Sequence, residues 1–269
     1  MLPIDIFPER ILSRLTGRII GRELTVLPEI ASTNDAVMAA GQEGRREGFA
    51  VLADRQASGR GRLGRTWASP PRVGIYTSVL LRPPVPTHQA PLLTLTAGLA
   101  VVEAIEVVAQ VRPGLKWPND VLLLGQKVAG ILAEMATVGL RISHASLGIG
   151  INVHHAREDF PAGVRATATS IRLATGRMLD RGELAAALYD ALDRWYALFS
   201  LGERAGILQA ARDKSVTLGR DVMVESGTGR WRGVALDLDA DGALLVRSES
   251  GAVRRVLADD VSVRTGLRP

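Results

Sequence analysis

Side chains suited to binding or moving charge gather in two stretches. From Arg55 to Arg82 there are six arginines and no acid, and the densest part reads Gly59-Arg60-Gly61-Arg62-Leu63-Gly64-Arg65-Thr66-Trp67. Guanidinium groups clustered beside backbone amides that glycine leaves open suit a phosphate or another oxyanion, and Trp67 offers a flat face for a base. A solvated basic loop is the bland counterpart, and the alternation of Gly with Arg argues against it. The second stretch is Lys116-Trp117-Pro118-Asn119-Asp120, with Lys127 seven residues further on. The chain has thirty Arg and only three Lys, at 116, 127 and 214. Lysine is a compact point charge where arginine is a fork, so a Lys kept in such a chain marks a place that needs one. Either lysine could pair with Asp120 as a buried ion pair. Alternatively its charge meets a carboxylate or phosphate oxygen while Asp120 holds a metal or orients the cation. Spacing leaves both readings open. Lys214 reads as plain surface.

Capping and periodicity outline the helices and strands that carry these side chains. Pro8 to Thr16 suits one short helix. Ser32-Thr33-Asn34 caps a helix over Asp35–Gly41, with the glycine closing it. Phe49–Ala53 reads as a buried strand running into the Arg/Gly loop, and Val73–Leu81 as another, stopped by Pro83-Pro84. Ala90 to Val111 is a long amphipathic helix with Leu92, Leu95, Leu99 and Val102 on one face. Val121 to Glu134 is hairpin-like about Gly125, Ala145–Asn152 is a further strand, and helices occupy about 180 to 212. From Ser215 the texture changes to short alternating runs: Val216–Leu218, Val222–Val224, Trp231–Leu238, Ala243–Val246 and Val253–Leu257. Turns rich in Gly, Asp and Ser separate them, the pattern of a small antiparallel barrel. Two domains result, with the boundary near 213.

Several function classes drop out. Gly59-Arg60-Gly61-Arg62-Leu63-Gly64 matches the dinucleotide pattern, but Pro70-Pro71 forbids the helix that pattern must open, and no acid follows about twenty residues on. Asp237-Leu238-Asp239-Ala240-Asp241-Gly242 begins like a calcium loop, yet Ser248 stands at the twelfth position; Asp241-Gly242 is better read as a hairpin turn. His88, His144, His154 and His155 lack zinc-ligand spacing and read as incidental. The chain has no Cys, hence no disulfide, thiolate metal site or cysteine nucleophile. Asp5 and Glu9 break any greasy leader, and Glu103 and Glu106 argue against a membrane span at 90–111. A soluble, cytoplasmic protein is expected. Its net charge of +5 is too mild to argue for nucleic acid.

Taken in order, Ser32-Thr33-Asn34, Gln56 through Trp67, Lys116-Trp117-Pro118-Asn119-Asp120, Lys127-Val-Ala-Gly130-Ile-Leu and Gly148-Ile-Gly150-Ile-Asn152 resemble the biotin–protein ligases, over nearly the whole chain from Ser32. The resemblance implies an α+β fold: a mixed central sheet packed by helices (biotin/lipoate ligase-like, class II synthetase-like) over residues 1–213, with 1–22 a short extension. A C-terminal SH3-like β-barrel over 214–269 completes it. It implies that biotin and ATP, with Mg2+, give biotinyl-5′-AMP, and that the acyl group then passes to a lysine of a biotin carboxyl carrier domain. Lys127 and Arg62 become the catalytic residues, Lys127 bridging biotin's carboxylate and the α-phosphate. Ser32, Thr33, Asn34, Gln56, Gly59, Arg60, Gly61, Arg62, Lys127 and Gly130 become biotin contacts. Arg62, Arg65, Trp67, Lys116, Asn119, Asp120 and Asn152 face the nucleotide, and Asp120 stands indirectly near the metal. With only about twenty residues before the first core strand, no helix-turn-helix module is expected, hence no sequence-specific nucleic-acid binding and no membrane partner; a homodimer is compatible. The alternatives are a lipoate–protein ligase-like adenylating enzyme, or a catalytically silent biotin- or nucleotide-binding protein.

Overall fold

The computed structural model describes residues 5–226, 229–258 and 262–265; the outermost residues of the expected extension and barrel lie outside these. Seven strands form one sheet in the order β1-β2-β3-β7-β6-β5-β4: Leu24–Leu27, Ala50–Ala53, Gly74–Leu81, Gly114–Lys116, Asp120–Leu123, Gln126–Val138 and Arg141–Asn152 in chain order. Only β1 and β2 run parallel, so the sheet is mixed, as expected. Period two then divides its faces. Ala50 and Leu52 of β2 and Ile75, Val79 and Leu81 of β3 join the main core, beneath the long helices α3 (Ala90–Ala109) and α5 (Arg181–Ser200). Their neighbours Val51 and Leu80 join a smaller core with Val37 and Ala40 of α2 (Thr33–Gln42). The helix α2 thus stands on the opposite face from α3 and α5, beside the two chemical stretches.

Four local expectations need correction. The first helix, α1, ends at Leu12 and not at Thr16. The residues after it give their amides to carboxylates of α5: Thr16 to Asp190 at 2.9 Å and Ile20 to Asp193 at 2.8 Å. Gly41 does not close α2 but lies inside it, buried, where a Cβ would run into the His144 ring on β7. The long helix α3 shows no single apolar face. Leu93, Ala97 and Val101 are buried as fully as Leu92 and Leu99, because α3 is sandwiched between the sheet and α5. Its length and composition would suffice to cross a membrane, yet most of it is buried inside the protein. Glu103 accepts from the Trp195 indole at 2.8 Å, and Glu106 from Lys214 at 2.6 Å. Lys214 is therefore not plain surface.

After α6 (Arg204–Asp213) a five-stranded antiparallel sheet follows, ordered β11-β10-β9-β8-β12: Asp221–Ser226, Gly229–Leu238, Leu244–Ser248, Val253–Val256 and Ser262–Thr265 for β8 to β12. This is the small barrel, with two differences: β12 is not among the expected runs, and Val216–Leu218 is no strand of it. Val216 donates to the Leu115 carbonyl at 2.8 Å and Thr217 accepts the Trp117 amide at 3.0 Å, so these residues dock the barrel on β4. The expected turn at Asp241-Gly242 joins β9 to β10, with Gly242 at φ +81°. Asp239 and Asp241 bind Arg255, as a hairpin turn and not a calcium loop.

Candidate active site

The Arg/Gly segment is an irregular hairpin leaning over the sheet. Gln56 donates to the Ser69 carbonyl at 3.2 Å, Trp67 to Gly59 at 2.9 Å, and Gly61 to Arg65 at 2.7 Å. The Gly61 amide is thus held within the loop, not left open as the clamp reading expected. Gly59 is glycine for proximity: a Cβ there would lie 2.7 Å from Ser69 Oγ and closer still to the Trp67 carbonyl. At the tip, Leu63 and Gly64 both adopt positive φ, at 56° and 68°.

Beneath the loop, cross-strand register makes a bare floor. Tyr76 pairs with Gly150, Gly150 with Gly130, Gly130 with Asp120, and Asp120 with Lys116, one row across five strands on one face. The Trp67 indole covers the two central glycines: a Cβ at 150 would lie 2.5 Å from its Nε1 and one at 130 would lie 3.0 Å from the ring. Beside it, the Lys127 ammonium pairs with Asp120 and lies 5.2 Å from the Trp67 ring centroid. The ion pair that spacing left open therefore exists, on a half-buried lysine facing the loop. Lys127 is also fixed by its backbone, which exchanges hydrogen bonds with Thr167 and Thr169 at 2.8 and 2.9 Å. Asn152 is buried behind it, its amide donating to the Thr169 carbonyl at 3.0 Å and to the Lys127 carbonyl at 3.5 Å.

A polar network adjoins the floor at the N-terminus of α2. Ser32 caps the helix, accepting from the Asp35 amide. Gln56 Oε1 accepts from the Thr33 amide at 2.9 Å and its hydroxyl at 3.0 Å, while Gln56 Nε2 donates to Ser69 at 3.0 Å. Ser78 bonds both Thr33 and Asn34, at 2.7 and 2.5 Å, and Asn34 Nδ2 donates to Glu134 at 2.7 Å. Glu134 also takes Arg60 at 2.8 Å, which Asp35 shares at 2.5 Å. Asn34 in turn needs Gly148, since a Cβ there would collide with its amide.

At the other edge of the floor, Arg62 donates to Asn119 Oδ1 at 3.0 Å and to the Ala258 carbonyl of the barrel. Asn119 is held by Ile131, with Nδ2 to its carbonyl at 2.8 Å and the Ile131 amide returning at 2.9 Å. Arg65 is exposed at the loop and Lys116 is half-buried on β4. A separate cleft of about 410 Å³, lined by Arg55, Gln56, Gly59, Trp67 and Ser69, opens between the two limbs of the loop.

Sequence reasoning missed Ser78, Glu134, Asp35 and Ser69, all of which hold site residues. Thr77-Ser78 in the middle of an apolar, fully buried strand was the available signal. The three buried histidines do structural work. His155 has a pKa pushed down to about 4, first by burial, and it faces the Tyr76 hydroxyl at 3.2 Å. Among the described residues no group of three or more His, Cys, Asp or Glu could hold a metal ion.

Residues 26–152 match the biotin/lipoate A/B protein ligase family, and residues 217–264 match the biotin protein ligase C-terminal domain. The chain is 38% identical over 231 residues to a biotin–[acetyl-CoA-carboxylase] ligase of Mycobacterium tuberculosis, covering 83% of this chain and 82% of that one. It is 31% identical over 249 residues to the Bacillus subtilis bifunctional ligase/repressor BirA, covering 93% and 76%. The chain belongs to the biotin protein ligase family. Its fold agrees: the Aquifex aeolicus biotin protein ligase, solved in complex with biotin and ATP, superposes with a TM-score of 0.76 at 31% identity, covering 91% of this chain and 100% of that one. The ligase is thus an enzyme, and neither the lipoate reading nor the silent-binder reading is favoured.

Proposed function

We propose that the residues around the glycine floor divide the two half-reactions of a biotin ligase among them. The enzyme activates biotin with ATP and passes it to a lysine of a biotin carboxyl carrier domain. In the first step a biotin carboxylate oxygen attacks the α-phosphorus, a P–O bond forms, and pyrophosphate leaves. In the second the carrier's ε-amine attacks the acyl carbon and AMP leaves with the electron pair. The first step brings two anions together, so a cation between them lowers the barrier. Lys127 is that cation, and its neighbour Asp120 orients it until the substrates arrive. This placement of Lys127 beside Trp67, at the edge of the bare floor, is the observation that carries the reading.

Ser32, Thr33, Asn34 and Gln56 take the biotin head. Their hydroxyls and amides offer both donors and acceptors, which suits a ureido group with one carbonyl and two N–H. Gly59, Arg60, Gly61 and Gly130 line the same substrate, and Arg60 exchanges Glu134 and Asp35 for it. Arg62 and Lys127 span both substrates, while Arg65, Trp67, Lys116, Asn119, Asp120 and Asn152 serve the nucleotide. Mg2+, when bound, neutralises the phosphates of ATP. A single carboxylate at Asp120 fits an ion that keeps several waters and rides on the nucleotide.

Residues 1–213 form the catalytic domain and 214–269 the barrel, which closes the site through Arg62 and Ala258. The protein works in the cytoplasm, is compatible with a homodimer, and binds no specific nucleic acid. The test is the reaction itself: purified chain, biotin, ATP, Mg2+ and a carrier domain, followed by mass mapping. One biotinyl group on one carrier lysine is expected, with none from lipoate. Salt-resistant retardation of a defined promoter fragment would refute the nucleic-acid part, and sedimentation reads the oligomer.

A further inference from the structure

A fully buried arginine lies outside the site. Arg181, in the first turn of α5, is fully buried, and one of its terminal nitrogens has no hydrogen-bond partner. Its Nε donates to Asp5 at 2.7 Å and its own amide to the other Asp5 oxygen at 2.9 Å. Its other terminal nitrogen donates to Asp54 Oδ1 at 2.8 Å and to the Gly74 carbonyl at 3.1 Å. Two carboxylates face one guanidinium, so the cluster stays charged after pairing. Buried ion clusters contribute little to stability compared with apolar packing, so one that exists in the core is better explained by what it fixes in place.

What it fixes is the neck of the Arg/Gly loop. Asp54 follows β2 directly and begins the loop; its Oδ1, the same atom that takes Arg181, also accepts the amide of Arg72 at 3.0 Å, where the loop ends before β3. Arg72 adopts φ +69°, a conformation that costs a residue with a Cβ and persists only where its surroundings impose it. Gly74, the first residue of β3, gives its carbonyl to the same guanidinium. Close by, the Tyr76 hydroxyl donates to the Pro70 carbonyl at 3.0 Å. One carboxylate oxygen therefore closes a hairpin whose far end carries Arg60, Arg62 and Trp67.

We propose that Arg181 and Asp54 are positioning residues for adenylation: they lock the two ends of the Arg/Gly loop together, and so set the pose of Arg62 and Trp67 over the floor, with Asp5 steadying the guanidinium from behind. The proposal rests on the reading that this loop closes on the adenylate. The pair touches no substrate and acts through the backbone of the loop.

The test uses the full chain with Asp54→Ala, Asp54→Asn, Arg181→Met and the Asp54→Ala/Arg181→Met double variant. Tyr189→Phe is the control: it loses a buried hydroxyl contact to Thr77 at 2.7 Å in the same core, away from the loop. The readouts are tryptic cleavage after Arg60, Arg62 and Arg65 in the ligand-free protein, retention of biotinyl-AMP, and kcat against KM. Asp54→Ala should speed loop cleavage and biotinyl-AMP loss about tenfold, as local opening becomes easier than global unfolding. KM for ATP should rise more than kcat falls. Asp54→Asn, which keeps an acceptor for the Arg72 amide, should recover part of both effects. The double variant should be no worse than the worse single, because both act on one unit. If Asp54→Ala melts lower, as Tyr189→Phe does, but leaves cleavage and retention within about twofold of wild type, the proposal is overturned. Should Arg181→Met fail to fold, the two Asp54 variants decide alone. The cleavage arm needs no activity, so it separates failure of the neck from failure of the adenylation reading, in which wild type itself would retain no biotinyl-AMP.

Discussion

The indole Nε1–H of Trp117 donates to the Gly242 carbonyl at 3.0 Å, tying the strand that leads to Asn119 and Asp120 to the β9–β10 turn of the barrel. The same glycine sits against α3, where a Cβ would lie 3.1 Å from Leu95 and 3.2 Å from the Leu92 amide. Trp117 is thus a fastener between the two sheets and not a substrate contact. Trp117→Phe leaves a buried carbonyl without its donor and opens space beside it. Urea unfolding should show a loss of about 2–4 kcal/mol. A loss under about 0.5 kcal/mol, the range of neutral surface changes, would mean the seam is held elsewhere.

The glycine floor makes the second prediction. Gly150→Ala puts a methyl 2.5 Å from the Trp67 indole, which must lift away. We expect KM for biotin and ATP in pyrophosphate release to rise about tenfold or more, since a displacement near 1 Å is enough to spoil a reacting pose. Far-UV circular dichroism should be unchanged. Unaltered KM values would show that Trp67 covers no substrate.

Lys127→Ala should fold, since the lysine is half-buried and its backbone contacts survive, but adenylation should fall at least about a hundredfold. Lys127→Arg should not restore it, because a planar fork does not replace a point charge between two anions. Biotin-dependent pyrophosphate release reads both. Near-normal release from Lys127→Ala would remove the lysine from the mechanism.

Arg62→Ala separates making the intermediate from keeping it. The arginine bridges Asn119 and the barrel carbonyl of Ala258, so its loss should slow adenylate formation and speed escape of biotinyl-AMP, each about tenfold. Filter-binding of labelled biotinyl-AMP measures the second effect. Unchanged retention would deny the loop its closing role.

Acid should unfold the ligase partly through His155. Burial holds its pKa at about 4, against 6.5 in the unfolded chain, so below pH 6.5 the unfolded state takes up a proton that the native state refuses. The contribution is present above pH 6.5 and drains away as pH falls towards 4, on the order of 3 kcal/mol in all. His154 shifts in the same direction, also chiefly by burial. His155→Phe should flatten the stability curve between pH 6.5 and 4 in urea titrations; an unchanged slope would mean the ring is hydrated in the native state.

What could be read from the chain alone depended on how local its cause was. Caps, alternation and proline stops made α2, β2, β3 and four of the five barrel strands, β8 to β11, legible, because each is decided within a few residues. Gly41 misled because its reason is the His144 ring, about a hundred positions away in sequence on β7. Val216–Leu218 alternates like a strand but hydrogen-bonds to β4 and Trp117, a choice made by tertiary docking. In the site, motif residues were legible while their holders were not. Ser78 and Glu134 belong to no motif, and only the strand register puts them beside Asn34. Arg181 gave no local sign either: its charge is explained by Asp5 and Asp54, far away on both sides in sequence.

The shortage of lysine acquires a meaning from how these few amines are held. An acyl adenylate acylates any accessible ε-amine, and arginine offers none, its guanidinium staying protonated. Of the chain's three lysines, one is paired with Asp120, one with Glu106, and the third is half-buried in the strand opposite Asp120. Thirty of the thirty-three basic residues are inert towards the enzyme's own intermediate. The ligase carries its positive charge in a form that its product chemistry cannot tag, which leaves the incoming carrier lysine with little competition from the catalyst itself.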